Sequence, residues 1–154
     1  MLPSEATTTY HLREPDADLT GVWRIRMREL TIAWQRLVDD AGKTCPRCRK
    51  TSLRVRVAAL LLQALLLPRA FRVRVHTTPL SEDDFARDPL LSNVVRINGT
   101  PVENLLHGEV GKSRCCSACG DSDCRTVTVA GRTYEAISVG LVVRAARIAA
   151  RSAS

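Results

Sequence analysis

Residues 46–67 contain no glycine, are rich in Leu and Ala, and are bracketed by Pro46 and Pro68. Proline suits a first helical position, where its missing N–H costs nothing, and it cannot continue a helix, so this stretch is expected to be one long helix. Strand patterns lie on both sides of it. Residues 30–38 are largely apolar and end in the loop signal Asp39-Asp40-Ala41-Gly42, while Phe71, Val73 and Val75 alternate with Arg72, Arg74 and His76. Two strands joined by a helix of that length run parallel with a right-handed crossover, which makes the chain an α/β protein. Downstream, residues 94–97 form a strand running into Asn98-Gly99, the strongest short hairpin signal, and residues 101–105 are expected to return beside it.

The remaining segments are read in the same way. Residues 77–88 are expected to be a loop with a short helix. Residues 126–129 and 134–137 flank a turn at Ala130-Gly131, and Ser138 is a helix N-cap for a run with Val142, Ala145, Ala146 and Ala149 at helical spacing. Trp23, Ile25 and Met27 alternate with Arg24, Arg26 and Arg28, so a further strand is expected at 22–28. The first residues carry Pro3, Pro15 and several charges without apolar periodicity. The expected organisation is a flexible or partly ordered N-terminal arm at 1–28 and one domain at 29–154.

Composition narrows the class of function. Hydrophobic residues make up 45% and charged residues 25% of 154, the composition of a packed globular chain. The apolar run at 57–67 is interrupted by Gln63 and is too short to cross a bilayer, so no membrane association is expected. The N-terminus has neither a basic nor an apolar leader region, which argues against secretion, so the reducing cytoplasm is the expected compartment. Net charge is +7, with 20 Arg against only three Lys. Aromatics at 4% are too few for a base-stacking platform, and Arg24, Arg26, Arg28, Arg54, Arg56, Arg72 and Arg74 fit solvated faces, so nucleic acid is not an expected partner. No P-loop, dinucleotide fingerprint, serine nucleophile elbow or His-Glu-x-x-His pattern is present.

Chemistry is concentrated in six cysteines. Cys45-Pro46-Arg47-Cys48 sits at the junction of a strand and a helix, where the helix dipole and free N–H groups stabilise a thiolate on Cys45, helped by Arg47 and Arg49. Cys48 lies one helical turn on and can close a disulfide with Cys45, the layout of an attacking and a resolving thiol. The second cluster holds Cys115, Cys116, Cys119 and Cys124, and Cys116 with Cys119 makes a second C-x-x-C. Random placement of six cysteines gives about 0.2 such pairs, so the spacing needs a reason. The returning chain is expected to bring the second cluster beside the first. Two kinds of chemistry then stand open. The pairs can exchange a disulfide, or Cys45, Cys48, Cys115, Cys116, Cys119 and Cys124 can supply a thiolate set for Zn²⁺, either two from each C-x-x-C or a local set in the second cluster, with His107 as a spare ligand.

These residues carry a resemblance. Cys45-Pro46-Arg47-Cys48 after a strand, the segment Val94-Val95-Arg96-Ile97-Asn98-Gly99-Thr100-Pro101, the block Cys115-Cys116-Ser117-Ala118-Cys119 with Cys124-Arg125-Thr126, and Tyr134-Glu135 together resemble the thioredoxin-like superfamily. The likeness is to its small redox-disulfide members and to a bacterial cysteine-rich thioredoxin-like family. It implies a thioredoxin-like mixed sheet with flanking helices and an inserted cysteine-rich loop, with Cys45 as nucleophile and Cys48 as resolving thiol. Asn93 departs from the pattern, because such proteins usually carry a cis-proline there; Thr44 stands where an aromatic is common.

The expected activity is that of a thiol–disulfide redox protein, a possible oxidoreductase whose thiolates also suit soft metal or metalloid ions. Its expected partners are a thiol or disulfide protein or a small thiol. The alternative is a non-catalytic zinc-binding protein with a cysteine-cluster site; no cofactor other than that zinc is expected.

Overall fold

The structure is a computed structural model and describes residues 26–39, 41–115 and 121–153. Elements follow in the order β1 (Arg28–Leu37), α1 (Pro46–Leu66), β2 (Phe71–Leu80), α2 (Glu82–Arg87), β3 (Val94–Ile97), β4 (Thr100–Pro101), α3 (Val102–Leu105), β5 (Glu109–Arg114), β6 (Asp123–Val129), β7 (Arg132–Tyr134) and α4 (Val139–Ser152). The protein is a mixed α/β structure. Strands β2, β1, β3 and β4 form one sheet in that spatial order, and β5, β6 and β7 form a second, antiparallel one.

The α1 crossover makes β1 and β2 parallel, in register from Arg28 opposite Phe71 to Leu37 opposite Leu80. Antiparallel pairing follows on the other side of β1, where Trp34 faces Val95. The hairpin between β3 and β4 turns on Asn98 and Gly99, both at positive φ (48° and 84°), as a two-residue turn that matches strand twist requires. Asn98 Oδ1 also accepts a hydrogen bond from the Thr31 amide at 2.8 Å, which pins the turn to β1.

Leu30, Ile32 and Trp34 alternate along β1 and bury one face of the sheet. Against them packs the inner side of α1, with Val55, Ala58, Leu62 and Leu66, and α4 joins the same core through Leu141, Val142, Ala145 and Ala146. Fully burying an aliphatic side chain of this kind stabilises the fold by about 2 kcal/mol. The second sheet adds Val127 and Val129 of β6 to that core, so the two sheets share one interior. Gln63, which interrupts the apolar run of α1, has a structural reason: its amide donates to the Phe71 carbonyl and accepts from the Val73 amide at 2.9 Å, satisfying the outer edge of β2.

Several expectations change. Residues 101–105 do not return as a strand; Pro101 has no N–H to continue a ladder, so β4 stops there and the chain turns into α3. β2 runs on through Leu80, so the strand takes in residues 77–80 and only α2 fills the rest of the 77–88 segment. A strand at 22–28 is not found: residues 26 and 27 are irregular, Arg28 begins β1, and residues 22–25 lie outside the described residues. Most of the expected arm at 1–28 also lies outside them. One stretch, Pro46–Arg69, is by length and composition apolar enough to cross a membrane, a test that the core helix of a packed domain passes as well. Its inner side is nonetheless packed on protein.

Candidate functional site

β1 and β2 close together at their C-terminal ends, where the Val38 amide bonds the Leu80 carbonyl. The chain then has seven residues in which to turn into α1. Asp39 Oδ1 accepts from the amides of Ala41 (3.0 Å) and Lys43 (2.7 Å), Gly42 takes φ +72°, and Thr44 Oγ1 donates to the Leu37 carbonyl at 2.8 Å. These bonds set Cys45 in extended backbone at the N-cap of α1, with Pro46 as the first helical residue. The Cys45 Sγ accepts from the Cys48 amide at 3.4 Å, the capping bond that a serine or aspartate usually makes.

The first turn of α1 has no acidic side chain. Arg47, Arg49 and Lys50 follow Cys45 in the sequence instead, and the dipole of α1 favours an anion at its N-cap. Cys45 is buried, with 7% of its surface exposed, and Cys48 is deeper at 3%. No disulfide joins the two to each other.

Arg47 ties this turn to distant parts of the chain. Its guanidinium donates to Ser113 Oγ (3.1 Å) and to the Arg114 carbonyl (3.2 Å) of β5, and pairs with Glu135 Oε1 at 3.0 Å just after β7. Ser113 Oγ in turn donates to Glu135 Oε1 at 3.3 Å. Next to this knot, Ser113 is in register with Cys124 and Arg114 with Asp123, and the Cys115 amide bonds the Ser122 carbonyl. That register brings the Cys115 and Cys124 Cα atoms to 4.9 Å, and their sulfurs are joined in a disulfide.

Between the start of α1 and the disulfide lies a cleft of about 500 Å³. Arg47, Lys50, Arg54, Arg114 and Arg132 give its walls positive charge, Cys115 lies at its rim, and Glu135 is its acid. Arg54 also anchors the wall, donating to the carbonyls of Ala136 (2.9 Å) and Ile137 (3.3 Å). Arg132 lies over the Tyr134 ring at 5.3 Å. A cleft so charged attracts anionic groups.

Of the six expected site cysteines, the structure thus places four. Cys45 and Cys48 lie at the start of α1, Cys115 and Cys124 are cross-linked beside β5, and Arg47 bridges the two regions; of the four, Cys115 lines the cleft. Cys116 and Cys119 lie outside the described residues. Joined in a disulfide, Cys115 and Cys124 are not thiolates and are poor zinc ligands in this state. Among the described residues no group of three or more His, Cys, Asp or Glu is placed to hold a metal ion. His107, the spare ligand, is exposed in a turn at φ +54°.

Asn93, at the position of the expected departure, adopts φ +61° and uses its side chain twice: Oδ1 accepts from Trp34 Nε1 at 3.3 Å and Nδ2 donates to the Glu135 carbonyl at 3.2 Å. It therefore joins β1 to the cleft wall. Ser113, Arg132 and the role of Glu135 were not marked by the sequence, since no motif spans their separations from Arg47.

No solved structure matches the chain. It is 40% identical over 114 residues to a protein from the archaeon Archaeoglobus fulgidus described as an uncharacterized protein, an alignment covering 74% of this chain and 82% of the relative. Residues 30–146, which include most of β1, both cysteine pairs and most of α4, match the domain of unknown function DUF2703, and the chain belongs to that family.

Proposed function

We propose that this is a thiol–disulfide redox protein of thioredoxin-like type, acting in a reducing compartment on a disulfide of a partner protein or small thiol. The observation that carries the reading is the Cys45 sulfur at the N-cap of a long helix, accepting the Cys48 amide, with no acidic side chain in the first turn and Arg47, Arg49 and Lys50 next along the chain. The sheet order β2-β1-β3-β4, with β1 and β2 parallel and β3 antiparallel to β1, supports the thioredoxin-like assignment.

Cys45, the more exposed of the pair, loses its proton and attacks one sulfur of the partner disulfide. A mixed disulfide forms and the other partner sulfur leaves as a thiolate. Cys48 then gives up its proton and attacks the Cys45 sulfur, which releases the second partner thiolate. Two electrons and two protons pass to the partner, and Cys45 and Cys48 are left as a disulfide. Cys115–Cys124, with Cys115 in the lining of the cleft, is the second redox pair of this reading: once an outside dithiol has reduced it, its two thiols pass two electrons and two protons to the Cys45–Cys48 disulfide and are themselves left as the disulfide.

The test is a disulfide-reduction assay with a dithiol as electron source. Cys45→Ser is expected to abolish turnover, and Cys48→Ser to accumulate a mixed disulfide visible by mass spectrometry of the intact protein. Full activity in Cys45→Ser sinks the assignment. Near-stoichiometric zinc in protein purified without chelator, together with unreactive thiols, favours the zinc-binding alternative.

A further inference from the structure

Helix α1 has a second apolar face that none of the described residues covers. Leu53, Val57, Leu60 and Ala64, with Leu67 at the C-cap, are all exposed, on the side opposite Val55, Ala58, Leu62 and Leu66. Leu60 is 74% exposed, Leu53 65% and Leu67 54%; Leu61 and Leu65 widen the stripe. Single exposed leucines need no explanation, but a continuous row along four turns does.

The spacing suits a second helix. Steps of four, three, four and three residues are the a/d repeat of a two-helix seam, which keeps one narrow row in contact with a partner helix. The same row on a second copy is complementary to it. A specific interface buries about 1,200 Å² or more in total, and Leu61 and Leu65 beside the row add to the apolar surface that each copy offers toward it.

Charge sets the direction. Arg47, Arg49, Lys50, Arg54 and Arg56 all lie in the first half of α1, and residues 57–67 carry no charge. Arg47 and Arg54 are bonded inward, which leaves Arg49, Lys50 and Arg56 exposed; a parallel pair would set six such cations side by side, whereas an antiparallel pair sets each Arg56 along the other's uncharged stretch and separates the two basic ends. We propose that two copies of this chain associate through the outer faces of α1, antiparallel about Leu60, with Leu53 of each helix opposite Leu67 of the other. The C-x-x-C end of each helix stays outside the contact, so the dimer leaves both clefts open.

Sedimentation velocity on the full chain between 1 and 100 μM tests this, with circular dichroism as the check on folding. The wild-type chain is expected to dimerise, and Leu60→Glu, at a fully solvated position in the monomer, to raise the dissociation constant about 100-fold by burying an unpaired charge. Leu53→Glu and Leu67→Lys are each expected to be monomeric alone and to form a heterodimer when mixed, because only an antiparallel pair brings residue 53 against residue 67. A wild-type chain that stays monomeric at 100 μM overturns the proposal, as does a dimer indifferent to Leu60→Glu. Failure of the mixture to associate overturns the antiparallel arrangement. Sedimentation of a monomeric wild-type chain with phosphatidylglycerol–phosphatidylcholine vesicles, lost in Leu60→Glu, assigns the face to a membrane surface instead.

Discussion

Arg125 directly follows Cys124 and is among the most constrained side chains in the molecule. It pairs with Glu103 of α3, which is 3% exposed, and donates to the Leu90 carbonyl at 3.0 Å in the turn before β3. One guanidinium thus ties β6, α3 and that turn together beside the disulfide. Burying such a pair is costly, and removing one partner leaves an uncompensated charge. Arg125→Met is expected to lower unfolding free energy by about 3–5 kcal/mol in urea titrations, and adding Glu103→Leu to recover a large part of it. Equal losses in the single and double variants would show that Arg125 acts through packing and its bond to Leu90 rather than through charge. Cys45 illustrates the opposite case, a residue whose position was plain from sequence because Pro46 announces the helix start.

At the scale of elements, β2 is the exposed edge of the four-stranded sheet, and its protection is local. Arg72, Arg74 and His76 are solvated along it, Pro79 removes a donor, and Gln63 reaches from α1 to its first backbone groups. Gln63→Ala is expected to cost about 1–2 kcal/mol, the loss of two hydrogen bonds at a half-buried site, and to increase aggregation on heating, which light scattering reads directly. β1, α1 and β2 were legible because each has a clear period and a marked stop. β5 was not. Its residues Glu109–Arg114 are polar on both faces, and its one large apolar side chain, Val110, is exposed, so it has no alternation to read; pairing with β6 alone makes it a strand.

In the whole molecule, the disulfide closes a short loop between β5 and β6, and its cost on opening is a property of the unfolded chain as much as of the fold. A loop of nine residues corresponds to about 2.5 kcal/mol of lost chain entropy. Urea unfolding of the Cys45→Ser/Cys48→Ser chain with and without a phosphine reductant is expected to differ by up to that amount, the oxidised form being the more stable. No difference would mean that the reduced loop stays as ordered as the bridged one. Because Arg47 bonds both β5 and Glu135, opening this bridge also loosens the wall that faces the start of α1.

Helix and strand periods, the proline stops and the Asn98-Gly99 turn carried the parallel β1–α1–β2 unit and the placement of Cys45 and Cys48, because those signals act within a few residues of where they are written. Which of the four clustered cysteines pair was not available from spacing, since several pairings fit it equally well; the β5–β6 register selected Cys115 with Cys124. The approach of the two cysteine pairs likewise depends on Arg47 meeting Ser113, 66 residues away, and Glu135 beyond it. Such contacts have no local period. They exist only once both sheets have closed on one core and brought their ends together.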